Sequence, residues 1–300
     1  MSTARSDLFE LELPLPDDAL RERGNRLVGF SERYERIRRD LRLLAAPDEV
    51  RAWSRRFYKG EMPICAAVTD RYPLVIFAGD VGTGKTETAE AMSDRLARET
   101  GKDAMLFKLS TRVRGGGKVG EMSTLINTAF ETVVKEAGKT RSAFLVIDEA
   151  DSLTASRDDT HSHHEDKVAV NTVIQRVDDL RRHRGRVLVF LCTNRSAALD
   201  AAVVRRAARV ETFSRPDEAE RLALLRMDLD GLGISDDTLH QLVKLTGASD
   251  APPRPGFTFS DLRSRLLPEA LAHAFPDRRM EAGDLLHAAR ELTPSPSVFG

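Results

Sequence analysis

Between residues 74 and 100 an apolar run, Leu74 to Ala78, leads into Gly79-Asp80-Val81-Gly82-Thr83-Gly84-Lys85-Thr86 and then into a helical pattern, Lys85 to Thr100. This G-x-x-x-x-G-K-[ST] arrangement leaves the backbone few options. A buried strand must pass through a tight glycine turn into a helix N-terminus, which gathers N–H groups and a positive dipole end in one cradle. Such a cradle takes the phosphates of a nucleoside triphosphate. Gly79, Val81, Gly82, Thr83 and Gly84 form its wall, Lys85 reaches the β- and γ-phosphates, and Thr86 holds Mg²⁺. ATP or GTP, with Mg²⁺, is therefore the expected ligand.

The loop's strand has company. Ala104 to Leu109, Ala143 to Asp148 and Val187 to Cys192 are further apolar runs, with Val210 to Phe213 a weaker one. Val119 to Glu136, Glu165 to Arg182 and Ala197 to Arg206 have helical patterns between them. Continuous apolar strands alternating with helices predict an α/β fold, a P-loop parallel sheet covered by helices. After Arg215-Pro216-Asp217 only helical patterns remain: Asp217 to Leu229, Asp236 to Thr246, Ser260 to Phe275 and Glu281 to Leu292. They predict a C-terminal all-α domain, with Gly247 to Gly256 as a loop. The expected division is an N-terminal arm with little structure of its own over 1–25, a nucleotide-binding domain over 26–214, a helical domain over 215–292 and a tail over 293–300. Ser31 to Leu44, Arg-rich with Ile37, Leu41 and Leu44 on one face, reads as a helix.

Three other elements bear on the chemistry. Phe144-Leu145-Val146-Ile147-Asp148-Glu149 is a strand with two acids at its C-terminal end, where ligands of open sheets bind. Asp148 is placed for the Mg²⁺ shell and Glu149 to polarise an attacking water. Thr193-Asn194 ends the strand that begins at Val187; Asn194 either orients that water, touches the γ-phosphate or is an ordinary turn residue. The arginines just before the last strand, Arg205, Arg206 and Arg209, are either surface residues or fingers that reach a neighbouring copy's γ-phosphate.

Composition excludes some partners. The chain has 46 Lys and Arg against 47 Asp and Glu, a net charge of -1, so no electrostatic case exists for direct nucleic-acid or membrane binding. No apolar run approaches the roughly 20 residues of a membrane span. Cys65 and Cys192 lack metal-type spacing and read as free thiols of a reducing compartment, the cytoplasm. His161-Ser162-His163-His164 lacks a second ligand cluster and reads as part of a polar loop. Trp53 and Tyr58 read as packing residues.

With its four elements in this order and a helical domain behind them, the chain resembles the AAA+ ATPases. Asp151-Ser152-Leu153-Thr154-Ala155-Ser156-Arg157, the stretch Val170-Asn171 through Arg182-His183, and Leu271-Ala272-His273-Ala274 are similar to the pachytene-checkpoint branch of that family. The resemblance implies a homo-hexamer that uses ATP to unfold or remodel a HORMA-domain protein. It puts Asn194 at sensor 1, Arg206 and possibly Arg209 at the trans finger, and either Arg263 or Arg265 at sensor 2 of the lid. It puts Leu27-Val28-Gly29 near the adenine and the polar loop with His161 at a second pore loop. The first pore loop falls at Arg112, Val113 and Arg114, with Val113 where the family usually has an aromatic residue. The short form, without a separate adaptor-binding domain, implies the bacterial branch, which acts beside HORMA proteins and nucleotide cyclases in cyclic-oligonucleotide antiphage signalling. A clamp-loader-like or initiator-like nucleic-acid machine, and a nucleotide-gated switch with little turnover, are the competing readings.

Overall fold

The computed structural model describes residues 5–114, 120–150 and 164–298. It contains two compact bodies, one of Met1–Gly24, Phe30–Ala78 and Thr86–Thr212, the other of Asn25–Gly29, Gly79–Lys85 and Phe213–Gly300.

The larger body is built on strands β1 (Phe9–Leu15), β2 (Leu74–Gly79), β3 (Ala104–Leu109), β4 (Ser142–Ile147), β5 (Val187–Thr193) and β6 (Arg209–Phe213), in the order β1-β3-β4-β5-β2-β6. The pairs β3–β4, β4–β5 and β5–β2 are parallel. Every residue of β2, β4 and β5 is buried, as continuous apolar runs require. The helices in chain order are α1 (Asp18–Asn25), α2 (Phe30–Ala45), α3 (Pro47–Tyr58), α4 (Pro63–Thr69), α5 (Lys85–Thr100), α6 (Glu121–Ala137) and α7 (His164–Leu180). Ile126, Ala129, Phe130 and Val133 of α6 and Ala169, Val173, Val177 and Leu180 of α7 recur at helical spacing. They share one cluster with Ile76, Leu145, Ile147, Val189 and Leu191 of the sheet. On α2, Tyr34, Ile37 and Leu41 are fully buried, while Arg33 and Arg36 reach over to the Glu211 carboxylate.

Several expectations need correction. Residues 5–24 are not short of structure: β1 pairs antiparallel with β3, from Phe9 opposite Leu109 to Leu15 opposite Ala104, and the Phe9 and Phe107 rings lie 5.0 Å apart. The alternation Phe9, Leu11, Leu13, Leu15 carries the strand, and Pro14, which has no N–H to donate, is tolerated because β1 is an edge. The sheet is thus mixed rather than wholly parallel. Ala197 to Arg206 is not one helix but the short turns Ser196–Ala198 and Ala201–Val204, because Asp200 caps the second with a carboxylate that accepts the Ala202 N–H at 2.8 Å. Trp53 and Tyr58 are packing residues of the surface. Each is about half exposed, and they pack on each other with centroids 5.4 Å apart. Both cysteines are free and buried, and among the described residues no helix is long and apolar enough to cross a membrane.

The second body packs α8 (Glu218–Asp228), α9 (Asp236–Leu245), α10 (Leu267–Ala272) and α11 (Ala282–Glu291) around Leu224, Leu225, Leu242, Phe257, Leu262, Leu266 and Leu285. Asp217 opens α8 in a capping box with Glu220, the pattern Asp-x-x-Glu just after Pro216. The expected helix Ser260 to Phe275 is interrupted. Leu262–Leu266 widens into a π turn with the Leu267 N–H on Leu262 O, directly before Pro268, which has no N–H to continue the regular ladder. The Gly247–Gly256 loop contains a two-residue ladder, Ser249–Asp250 against Pro253–Arg254.

Two carboxylates make this body sensitive to acid. The Arg278 guanidinium grips Asp284 at 2.7 and 2.5 Å and the Glu281 N–H donates to it at 2.9 Å, holding its carboxyl well below the usual range. At Asp261 burial opposes the charge. Donors from Ser295, Thr258 and Arg265 outweigh it and hold that carboxyl low too. A carboxyl whose folded pKa is depressed stabilises the fold above its unfolded pKa, about 3.9, and that stability is lost as pH falls towards the folded value. The helical body should therefore loosen below about pH 4, seen as faster amide exchange in α8 to α11, and Asp284→Asn should flatten the dependence. An unchanged acid profile in that variant contradicts the account.

Candidate nucleotide site

The glycine loop, residues 79–85, belongs to the second body. A Cβ at Gly79 would lie 1.9 Å from the Phe213 carbonyl oxygen, so only glycine fits there. Gly82 has φ +73 and packs so close that a Cβ would meet Thr258 Oγ1 at 2.7 Å, while its own carbonyl accepts the Ser260 N–H at 3.1 Å. Lys85 is buried. Its Nζ donates to Gly79 O at 2.9 Å and Asp80 O at 2.7 Å, and the Thr83 hydroxyl also donates to Asp80 O at 2.7 Å. The ammonium thus lies folded across the loop, its charge met by carbonyl dipoles. Val81 is exposed.

The acidic end belongs to the larger body. Asp148 follows the last residue of β4, and its Oδ2 accepts the Thr86 hydroxyl at 2.8 Å. A hydroxyl and a carboxylate side by side are the hard oxygen donors that Mg²⁺ prefers. Among the described residues no group of three or more His, Cys, Asp or Glu could hold a metal by itself. Two oxygen donors leave the rest of such a metal's shell to other ligands, and phosphate oxygens fit that need. Glu149 adopts φ +47, which costs a residue with a side chain roughly 1–2 kcal/mol. Bonds from two main-chain N–H groups hold it there: its own N–H donates to the Asp148 side-chain Oδ1 at 2.8 Å, and the Ala150 N–H to Cys192 O at 2.9 Å. That turn leaves the Glu149 side chain exposed at the end of the strand. Asn194 follows β5, the neighbour of β4, and is half-buried.

Sequence reasoning missed Lys108. From β3 its Nζ lies 2.6 Å from Glu10, 3.8 Å from Glu90 and 4.0 Å from Asp148. Burial opposes its charge, but Glu10, Glu90 and Asp148 raise its pKa and keep it protonated. Glu90 in turn meets Arg23 at 2.8 Å. Glu10 alternates with Phe9 and Leu11, so recognising β1 would have exposed this network.

The arginines are already engaged. Arg206 holds Asp178 by two prongs, Nε–Oδ1 at 2.5 Å and Nη2–Oδ2 at 2.9 Å, with its guanidinium 5.4 Å from the Tyr72 ring centroid. Arg209 leans on Asp40 and Glu211, each at 3.4 Å. Arg263 grips Asp228 at 2.6 Å, and Arg265 meets Asp261 at 2.9 Å. Val28 packs against the apolar core of the second body. Arg112 is exposed, but Val113 is fully buried with Ile126 and Phe130. This overturns Val113 as a gripping side chain: the 3₁₀ turn Thr111–Arg114, with the Val113 N–H on Ser110 O, aims it into the core. The runs Ser152–Arg157 and His161–His163 lie outside the described residues.

Residues 75–215 match the family model described as "ATPase family associated with various cellular activities (AAA)". The chain is 51% identical over 294 residues to CD-NTase-associated protein 6 of Escherichia coli strain KTE188, covering 98% of both chains. Among solved structures it is similar to a chain of the E. coli MS115-1 HORMA:CdnC:Trip13 complex, with TM-score 0.90, 39% identity and 100% of both chains covered. It is also similar to Rhizobiales Trip13, with TM-score 0.72, 36% identity, and 96% of this chain and 100% of that one covered. The chain belongs to the AAA ATPase family and, within it, to the group of CD-NTase-associated protein 6.

Proposed function

We propose that this chain works as a ring of six copies that uses ATP to disassemble a HORMA-domain protein complex, one member of which is a nucleotide cyclase, and so switches off cyclic-oligonucleotide antiphage signalling in the cytoplasm. The observation that carries the substrate is the full-length likeness, at TM-score 0.90, to a chain solved with HORMA and CdnC in the Trip13 complex.

The chemistry rests on this chain's own groups. Lys85 and the N–H groups of residues 79–85 take the phosphates. Thr86 and Asp148 hold Mg²⁺, which when bound neutralises charge on the β- and γ-phosphates. Glu149, turned out of its strand, accepts the proton of the attacking water, and Asn194 orients that water. Arg206 serves the neighbouring copy's γ-phosphate as a finger, and Arg209, braced by Asp40 and Glu211, supports the segment that carries it. Arg263 and Arg265 remain the two candidates for the lid arginine. With Val113 buried, Arg112 and Arg114 are the first pore loop's remaining substrate contacts.

The test mixes the protein with a HORMA-domain protein and a nucleotide cyclase of the kind found together in that complex. ATP should separate the HORMA protein from the cyclase on size-exclusion chromatography, whereas ADP should not. A complex that survives ATP turnover sinks the reading, and hydrolysis stimulated by DNA instead of by the HORMA protein favours the nucleic-acid machine.

A further inference from the structure

Asp80 is an odd residue to find in a cradle for phosphates. It is the second residue of the loop, it is an acid, and it is buried at 5% exposure. A carboxylate here opposes a triphosphate by like-charge repulsion unless something neutralises it. Three donors do. Arg215 Nε lies 2.6 Å from Oδ2, the Ser297 hydroxyl 2.9 Å from the same oxygen, and the Val298 N–H 2.7 Å from Oδ1. Burial works against the charge, but the Val298, Arg215 and Ser297 donors together keep the carboxyl below its usual range.

Two of those donors come from the C-terminal segment, which the sequence reads only as a tail. Arg215 also ties that segment down. Its Nη2 donates to Ser295 O at 2.9 Å and its Nη1 to Gly256 O at 2.6 Å. Asp261 accepts the Ser295 hydroxyl at 2.6 Å and its N–H at 3.1 Å. The same Asp261 closes a capping box with Thr258, beside the Ser260 N–H that holds Gly82 O. The loop is therefore gripped at Asp80 and at Gly82 by one connected set of hydrogen bonds. Pro294 and Pro296 limit the conformations of the free segment, which lowers the entropy lost when it closes.

We propose that Asp80 and Arg215 are positioning residues for the phosphate loop, and that residues 295–298 form a strap that closes on them, fixes the loop's backbone and neutralises its carboxylate so that a triphosphate can enter. The proposal rests on the reading of residues 79–86 as the phosphate site. It adds a part of the chain far from that motif to the determinants of nucleotide affinity.

Calorimetry with ATP on the full chain tests it. Arg215→Ala leaves Asp80 charged with no cation against it, only the Ser297 hydroxyl and the Val298 N–H, and Kd should rise tenfold or more. Adding Asp80→Asn removes the charge and should return Kd to within about threefold of the parent, a rescue that a purely structural Arg215 would not give. A chain ended after Leu292 should bind severalfold more weakly and exchange the amides of residues 79–85 faster. Equal weakness of Arg215→Ala with and without Asp80→Asn overturns the neutralising role. Unchanged affinity and exchange in the shortened chain overturn the strap. If Lys85→Ala still abolishes binding while these fail, the phosphate site stands and only the strap falls.

Discussion

Lys85→Ala should bind ATP at least about a hundredfold more weakly than the parent. The side chain's Nζ is the one ammonium at the loop, and two charge-assisted hydrogen bonds to phosphate oxygens contribute about 1.5 kcal/mol or more each, with tenfold in affinity for every 1.4 kcal/mol. The same Nζ now bridges Gly79 O and Asp80 O, so the alanine variant also takes a donor from each, leaving Asp80 O with the Thr83 hydroxyl alone of the two. Stability of the free protein should fall by about 1–3 kcal/mol as well. Lys85→Met keeps most of the stem and separates packing from charge. Calorimetry giving an unchanged ATP affinity in both variants would remove the phosphate loop from the site.

Glu149→Gln should keep ATP affinity and lose turnover by about 10² to 10⁴, the usual contribution of a positioned base. The fold should tolerate the change, because the Asp148 carboxylate and Cys192 O hold the main-chain N–H groups of Glu149 and Ala150, and the Glu149 side chain is exposed. Arg206→Ala should also bind ATP and fail to turn it over, a finger being worth roughly 10³ to 10⁵ in rate. Mixing the two inactive proteins is the sharper measurement. A ring that places an intact Arg206 from one copy against an intact Glu149 of the next recovers activity. Mixtures as dead as their components would falsify the finger's action in trans and weaken the case for a ring.

The parts of the site that could be read from the sequence are those where chemistry fixes both residue type and spacing. The loop from Gly79 to Thr86 admits few substitutes because Gly79 meets a carbonyl and Gly82 needs a left-handed backbone. Asp148 and Glu149 stand out because an apolar strand ends on them. Lys108, Glu10 and Glu90 were hidden because their contact depends on β1 adding to an edge, a long-range pairing that local pattern does not encode. Val113 was misjudged because a burial direction inside a 3₁₀ turn follows from packing, not from the neighbouring glycines. Residues 295–298 looked like a tail because proline and serine carry no hydrophobic period, yet polar bonds to Asp80, Asp261 and Arg215 hold them. The helix Ser260 to Phe275 was drawn through Pro268, and the missing N–H shows up as the π turn before it.

Arg206 clasped on Asp178 has a consequence for the proposed finger. Its guanidinium is already oriented and already shares its two prongs with an oxyanion. Moving to a phosphate would be a swap of one acid for another, with little new ordering of the side chain. Salt weakens the old clasp and the new one together, so this step should depend less on ionic strength than an arginine drawn from open water would. On that proposal a solitary subunit would keep Arg206 clasped on Asp178 until a more highly charged oxyanion competed for it.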